Sequence, residues 1–412
     1  MPAPEAQILL IGSELTQGRL VDKNGSFLAQ ELSQMGFFVR EIHILPDDSH
    51  LLRSAMKSAL KSDSQLVLSS GGLGHTSDDL TIELWAEVLE DRLLLSENIL
   101  SHLRGLLHAR GVTDLPYLER YALVPEKGEA LINPVGLAPA LYWEKGSKVI
   151  CALPGPPAEL QAIWHATLKQ RVQKRFSTQP PLTHTIRTTG ISESRLTDLI
   201  ATWEATLPST FRLSYNPSWE GVSLHLQAPP DTAPAYFTSF IDTLRETIRP
   251  YLYAEGNVSL AEAILHHLKG ANLTLAVAES CTGGHLAAEI VNIPGASEVF
   301  LGGIVSYSNS AKINLLGVSE LTLRTEGAVS ETTAIQMAEG VRRAFGAAVG
   351  VSTTGIAGPS GGSAEKPVGT VWFGIVTPHT RQAKRYLLSG DRKTIIQRAT
   401  AIALSLLWQS MQ

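Results

Sequence analysis

Short apolar runs that break into polar, glycine-bearing loops recur along this chain and set its expected layout. Near the amino end residues 7–11 read as a strand, followed by Gly12-Ser13-Glu14-Leu15. A helical pattern then runs through Phe27, Leu28, Leu32 and Met35 until Gly36 stops it. Residues 37–45, FFVREIHIL, alternate as a second strand. Pro46-Asp47-Asp48-Ser49 turns the chain into a helix over 51–60, and residues 65–69 form a third strand. The β-α-β-α-β order predicts a parallel sheet with right-handed crossovers.

The middle of the chain has a different character. Residues 183–189 alternate as a strand, ISESRLTDLIATW is an amphipathic helix, and FRLSYNPS and GVSLHLQA read as further strands before a long helix, APAYFTSFIDTLRETIRPYL. This order predicts a small α+β connector, with residues 253–259, YAEGNVS, as the linker out of it. Beyond lie three apolar runs, each ending in a loop of Ser, Thr and Gly: TLAVAESCTGG at 274–284, IVSYSNSAK at 304–312 and VGVSTTGIAGPSGG at 349–362. KPVGT, at 366–370, leads into one more strand. Loops of that kind after parallel strands meet at one sheet edge, where α/β proteins bind ligands. The expected fold is therefore α/β: a parallel-sheet domain at 1–168, the connector at 169–255 and a second α/β domain at 256–412.

Composition narrows the classes of function. A chain of 412 residues with 44% hydrophobic and 18% charged positions holds two to three globular domains. Its net charge of −5 and the lack of basic stretches interleaved with aromatics argue against direct nucleic-acid binding. No apolar run approaches the ~20 residues that span a bilayer, and the first twelve residues do not read as a signal peptide. Cys151 and Cys281 make no metal-like spacing, which fits a reduced, cytoplasmic compartment.

The loops carry the candidate chemistry. A polar cluster at a strand-to-helix junction, such as Glu279-Ser280-Cys281-Thr282-Gly283-Gly284, presents hydroxyls and free amides to an anion or a developing oxyanion. A serine becomes a nucleophile when a base takes its proton, and a desolvated lysine is such a base. Ser280 is the candidate nucleophile, Lys312 its base and Tyr307 a proton relay, with amides of residues 282–284 as the oxyanion hole. The same residues would also serve as a helix cap and a tight turn. Arg392 suits a phosphate, since a guanidinium grips two oxygens at once, or a surface ion pair. In the first domain the loop Gly71-Gly72-Leu73-Gly74-His75-Thr76-Ser77-Asp78-Asp79 has glycines for close approach to phosphate and two adjacent carboxylates. A divalent metal would reconcile the two; the alternative is a turn running into an acidic helix start. His75 is either a metal ligand or a loop histidine on a carboxylate.

AESCTGG, PGAS, GGIVSYSNSAK, GAVS, TTGIAGPSGG, KPVGTV and Gly390-Asp391-Arg392 occur in order from residue 259 to the end and resemble the C-terminal domain of the CinA family. The resemblance implies a nicotinamide mononucleotide deamidase without a cofactor. It also implies substrate contacts from Glu279, Thr282, Gly283, Gly284, Thr354, Gly355, Gly358 and Arg392. Residues 5–168 are similar to the family's N-terminal, molybdopterin-binding-like domain, through Gly12, Glu14, Asp22, Asn24, Asp47, Asp48, the Gly71–Asp79 loop and LPGPP with Glu159. This implies an ADP-ribose pyrophosphatase dependent on Mg2+ or a similar divalent metal. Its substrate would be held by Glu14, Asn24, Gly71, Gly72, Gly74 and Thr76, and its metal by Asp47, Asp78 and Asp79. The chain departs from the family pattern at His75, Leu137 and Ala140. A homodimer is the expected assembly. A regulatory partner in competence or DNA repair, and a molybdopterin-handling protein, are the competing classes of function.

Overall fold

The computed structural model describes residues 3–112 and 115–412, which form two compact units, Met1–Pro181 and Leu182–Gln412. In the first unit the strands are β1 (Glu5–Ile11), β2 (Phe38–Leu45), β3 (Leu66–Ser70), β4 (Leu93–Leu95), β5 (Leu123–Pro125), β6 (Gly128–Leu131), β7 (Ala140–Lys145) and β8 (Lys148–Leu153). The main sheet runs β2-β1-β3-β8-β7-β6; β1 is parallel to β2 and β3, and β3 to β8, while β7 is antiparallel to both neighbours. The expected parallel β-α-β-α-β unit is present. The continuous apolar run of β1 follows from helices on both faces: Ile8 and Leu10 pack with Leu28, Leu32 and Trp164, whereas Leu9 and Ile11 pack with Leu52, Met56 and Trp85.

Residues 38–45 form the expected second strand, β2, which is a sheet edge and leaves Phe38, Ile42 and Ile44 each nearly half exposed. The first unit also continues past residue 168, because the helix Lys169–Phe176 follows directly and buries Val172 in the same core as Trp164.

The second unit opens with β9 (Leu182–Thr188), β10 (Arg212–Pro217), β11 (Val222–Ala228) and β12 (Leu252–Glu255), in the order β10-β11-β9-β12 and all antiparallel. Helices Glu193–Glu204 and Pro234–Ile248 cover one face through Leu196, Ile200, Phe237 and Ile241. Tyr253, Ala254 and Glu255, read from the sequence as linker, are instead strand residues of β12. The connector is not a separate body. Tyr253 packs edge-on to Trp408 of the last helix, at 6.5 Å between ring centroids, and belongs to its core.

After the helix Leu260–Gly270 come β13 (Leu275–Glu279), β14 (Phe300–Val305), β15 (Val349–Gly355), β16 (Thr370–Val376) and β17 (Arg381–Leu387), ordered β14-β13-β15-β16-β17. β13 is parallel to β14 and β15, and the last two strands return antiparallel. Leu275 and Val277 face a core shared with helices Leu260–Gly270 and Arg392–Gln409, while Ala276 and Ala278 face Met337 and Val341 of the helix Glu331–Phe345. The three parallel strands thus deliver their following loops to a single edge.

Candidate functional site

Ser280 and Ser306 are the first residues beyond β13 and β14, and each extends the sheet by one bond: the Ser280 amide donates to Thr353 O at 2.9 Å and the Ser306 amide to Glu279 O at 2.7 Å. The helix Asn309–Leu316 starts immediately after β14, with the Ser308 hydroxyl accepting from the Ala311 amide at 3.1 Å. Its first turn carries Lys312 back under the loops, where the side chain is 1% exposed. Lys312 Nζ donates to Ser280 Oγ at 2.9 Å and to Ser306 O at 2.8 Å. Among the described residues no carboxylate forms an ion pair with it. Burial penalises the ammonium form and pushes the Lys312 pKa below the usual lysine value. A lysine held this way gives up its proton more readily than a solvated one and has a hydroxyl within reach of its lone pair. The pair is equipped for proton transfer from Ser280.

The loop between Ser280 and the next helix is held by Glu279, not capped by Ser280. Glu279 Oε2 accepts from the amides of Gly284 (2.9 Å) and Leu286 (3.1 Å), and Oε1 from that of Ala287 (2.8 Å), all at the start of His285–Val291. With both oxygens committed and the side chain buried, Glu279 shapes the loop rather than facing a ligand, which corrects the substrate contact expected of it. The Gly284 amide is occupied for the same reason. Of the expected oxyanion donors, Thr282 and Gly283 have amides with no acceptor among the described residues. The Thr282 hydroxyl is buried against that of Thr353 at 2.6 Å. Burial pushes the neighbouring Cys281 thiol up to about 12, which removes a thiolate route near neutral pH.

Tyr307 lies apart from this pair. Its side chain is 64% exposed and its hydroxyl accepts from Arg392 Nη2 at 2.9 Å; it bonds neither Lys312 nor Ser280. The proton relay expected of Tyr307 is therefore corrected to a bond with Arg392, whose Nη1 donates to Gly358 O at 2.7 Å. Thr354 directs its hydroxyl to Ala328 O at 2.6 Å and is buried. Gly355 gives the room for β16: a Cβ there would stand 2.7 Å from the Val371 side chain. A cavity of about 580 Å³ opens between His285, Ala357, Pro359, Val368 and the turn Gly390-Asp391-Arg392-Lys393. Ser280 and Lys312 are not on its wall. Of its lining residues His285 reaches the loop after Ser280, with Nδ1 2.7 Å from Thr282 O, and Arg392 bonds Tyr307. Ser306, Thr353, His285 and Lys393 escaped the reading of the sequence. Ser306 and Thr353 had a signal, as further hydroxyls within GGIVSYSNSAK and TTGIAGPSGG.

In the first unit the glycine loop follows β3. Gly71 has φ +108°, and a Cβ would stand 2.1 Å from Ile11 O, so only glycine fits there. Thr76 donates through its amide (2.9 Å) and its hydroxyl (2.5 Å) to Asp79 Oδ2. A Thr76 hydrogen bond also lowers the Asp78 carboxyl below its usual range. Asp47 is elsewhere, accepting from the Ser13 amide at 2.7 Å, and Glu14 is exposed beside Gly12. Asn24 Nδ2 donates to Ser70 Oγ (2.9 Å) and Gly155 O (2.7 Å), while its Oδ1 is buried without a partner. A cavity of about 430 Å³ is lined by Gly72, Leu73, Gly74, Asp79, Arg110, Tyr121 and Glu159 among others. The metal site expected of Asp47, Asp78 and Asp79 does not assemble: among the described residues no three His, Cys, Asp or Glu stand together to hold an ion. His75 is neither a ligand nor a carboxylate partner. It stacks on Tyr117 at 3.6 Å between centroids and its Nδ1 lies 3.1 Å from Tyr121 Oη.

No described helix is long and apolar enough to cross a membrane. Two family models match the chain, "CinA C-terminal domain" over residues 257–411 and "Probable molybdopterin binding domain" over 7–174. Full-length relatives are similar throughout. A CinA-like protein of Amoebophilus asiaticus is 36% identical over 98% of this chain and 99% of its own. One of Thermotoga maritima is 39% identical over 97% and 96%, and one of Salinibacter ruber is 37% identical over 94% and 95%. With both domains matched in order and identity sustained from end to end, the chain belongs to the CinA family.

Proposed function

We propose that the C-terminal domain hydrolyses the carboxamide of nicotinamide mononucleotide, giving nicotinate mononucleotide and ammonia. The observation that carries this reading is the buried Lys312 Nζ 2.9 Å from Ser280 Oγ, with no carboxylate to keep it charged. Neutral Lys312 takes the Ser280 proton as Oγ attacks the carboxamide carbon, and the amides of Thr282 and Gly283 are the donors available to the oxyanion. The tetrahedral adduct collapses with loss of the C–N bond, and Lys312 returns its proton to the leaving ammonia. Water, deprotonated by Lys312, then cleaves the acyl-serine ester and restores the hydroxyl. Arg392 and Lys393, on the cavity that His285 also lines, are suited to the substrate's phosphate.

The test is ammonia release from nicotinamide mononucleotide by the purified chain. Neither Ser280 nor Lys312 calls for a metal, so turnover is expected to be unchanged by a chelator. Loss of the activity on chelation, or no ammonia release at all, would overturn the reading. For the N-terminal unit we propose a ligand bearing phosphate in the cavity beside Gly72 and Gly74. ADP-ribose remains the expected ligand, but no hydrolytic step is derived through a metal that Asp47, Asp78 and Asp79 are not gathered to hold.

A homodimer is proposed as the assembly. The edge strand β14 and the helix after it leave Leu301, Val305 and Leu315 exposed, and a second copy would cover them. Light scattering at micromolar concentration is expected to give twice the chain mass, and the monomer mass would end the idea.

A further inference from the structure

The hairpin between β10 and β11 reaches out of the connector toward the turn that precedes the last helix. Its tip is closed by the Ser218 amide donating to Gly221 O at 2.7 Å. Glu220 fixes that tip on three sides. Its Oε1 accepts from the Leu260 amide (3.2 Å), its Oε2 from the Tyr253 hydroxyl (2.9 Å) and its carbonyl from the Thr189 hydroxyl (2.7 Å). Trp219, beside it, has no such anchor and is 53% exposed. Its ring lies under the Arg398 guanidinium, with the central carbon 5.6 Å from the ring centroid. Arg398 Nη1 in turn donates to both Ser389 O and Ser389 Oγ, each at 2.7 Å. Ser389 is the residue before Gly390-Asp391-Arg392-Lys393, which form one wall of the cavity that His285 also lines. The far side of that turn is fixed by Asp391 Oδ1, which accepts from the Thr394 amide at 2.8 Å.

We propose that the connector hairpin holds the Ser389–Lys393 turn of the C-terminal site in its binding geometry, through Trp219 stacked on Arg398 and Arg398 bonded to Ser389. The proposal rests on the reading that Arg392 and the cavity receive the substrate's phosphate. Trp219 and Arg398 are then positioning residues that act on substrate affinity and leave Ser280 and Lys312 untouched. The connector becomes part of the deamidase site instead of a spacer. The arrangement also accounts for the Glu220 anchors, since a stacked tryptophan fixes an arginine only if its own backbone is held.

Two measurements on the full chain test it. Amide hydrogen exchange reads the turn directly, and steady-state ammonia release from nicotinamide mononucleotide reads its consequence. In Trp219→Ala, exchange over residues 388–394 is expected to quicken while the helix interiors keep their protection. KM should rise about two- to fivefold with kcat within twofold, the size of an exposed cation–π contact. Trp219→Phe keeps a π face and should restore both. Arg398→Met removes the Ser389 bonds as well and should raise KM about tenfold, and adding Trp219→Ala to it should do nothing more. Unchanged exchange in Trp219→Ala, exchange that quickens everywhere, or local loosening with KM unaltered would each overturn the proposal. Should the wild-type chain release no ammonia, the substrate reading falls with the affinity claim. The exchange arm then still decides whether the hairpin holds the turn.

Discussion

Ser280→Ala is expected to lower kcat for ammonia release by about 10⁴-fold, the scale seen when an activated nucleophile is removed. KM should change little, because the cavity wall with Arg392 and Lys393 is built from a different loop. The rival account has water attack the carboxamide directly, with Ser280 only closing the helix behind it. That account predicts a loss of about 1 kcal/mol, the worth of a cap or a single hydrogen bond. The structure makes the capping role redundant, since Glu279 already accepts from the Gly284, Leu286 and Ala287 amides. Ser280 Oγ has Lys312 Nζ as its partner. A kcat for folded Ser280→Ala within tenfold of wild type would falsify the nucleophile.

Lys312→Met should be almost as damaging, and the double variant hardly worse than either single one, because base and nucleophile act as a unit. Methionine fills much of the same volume but cannot accept the Ser280 proton. Stability should not follow activity. The substitution removes the cost of burying an amine that is charged in the unfolded chain, several kcal/mol whether it is carried in as ammonium or first gives up its proton, and leaves Ser280 Oγ and Ser306 O short of one donor each, at about 1–3 kcal/mol apiece. An unchanged or raised Tm beside lost turnover is the expected signature. A large fall in Tm would mark Lys312 as structural. The pH profile gives a second check on this residue. The base works when neutral and burial lowers its pKa, so kcat/KM should rise with pH and level off below the ordinary lysine value of ~10.4. Lys312→Arg stays cationic throughout and should show no rise. A wild-type profile still climbing at that value would show a lysine that burial has not tuned.

The order of elements was legible in the chain because it depends on neighbours in sequence. An apolar run such as residues 274–278 declares a strand wherever it lies, and a loop of Ser, Thr and Gly after it declares a strand end. Three such loops at one edge of a parallel sheet follow from connection rules alone, so Ser280 and Lys312 could be paired before any coordinate was known. β2 was legible as a strand from its alternation, but not as a sheet edge with no neighbour on its outer side. Periodicity reports which residues share a face and is silent on whether anything covers it.

Partners across the fold were a different matter. Tyr307 stands five residues from Lys312, yet its hydroxyl meets Arg392, far along the chain. The family resemblance joins Asp47 to Asp78 and Asp79, and the fold gives it to Ser13. The family resemblance implies a substrate contact from Glu279, and the fold gives its carboxylate to the helix that follows. Trp219 and Arg398 carried no signal, as neither lies in a motif. A residue type states what a side chain is able to do. Which hydrogen bonds it makes depends on the groups that packing brings within about 3 Å, often from distant elements, and once those bonds are made a buried donor or acceptor has little left for a ligand. The sequence thus determined strands β1 to β3, β9 to β11 and β13 to β16, the loop edge and the serine–lysine pair, while β4 to β8, β12 and β17 emerged only in the fold, and tertiary packing alone decided which of the surrounding polar groups were left free of protein partners.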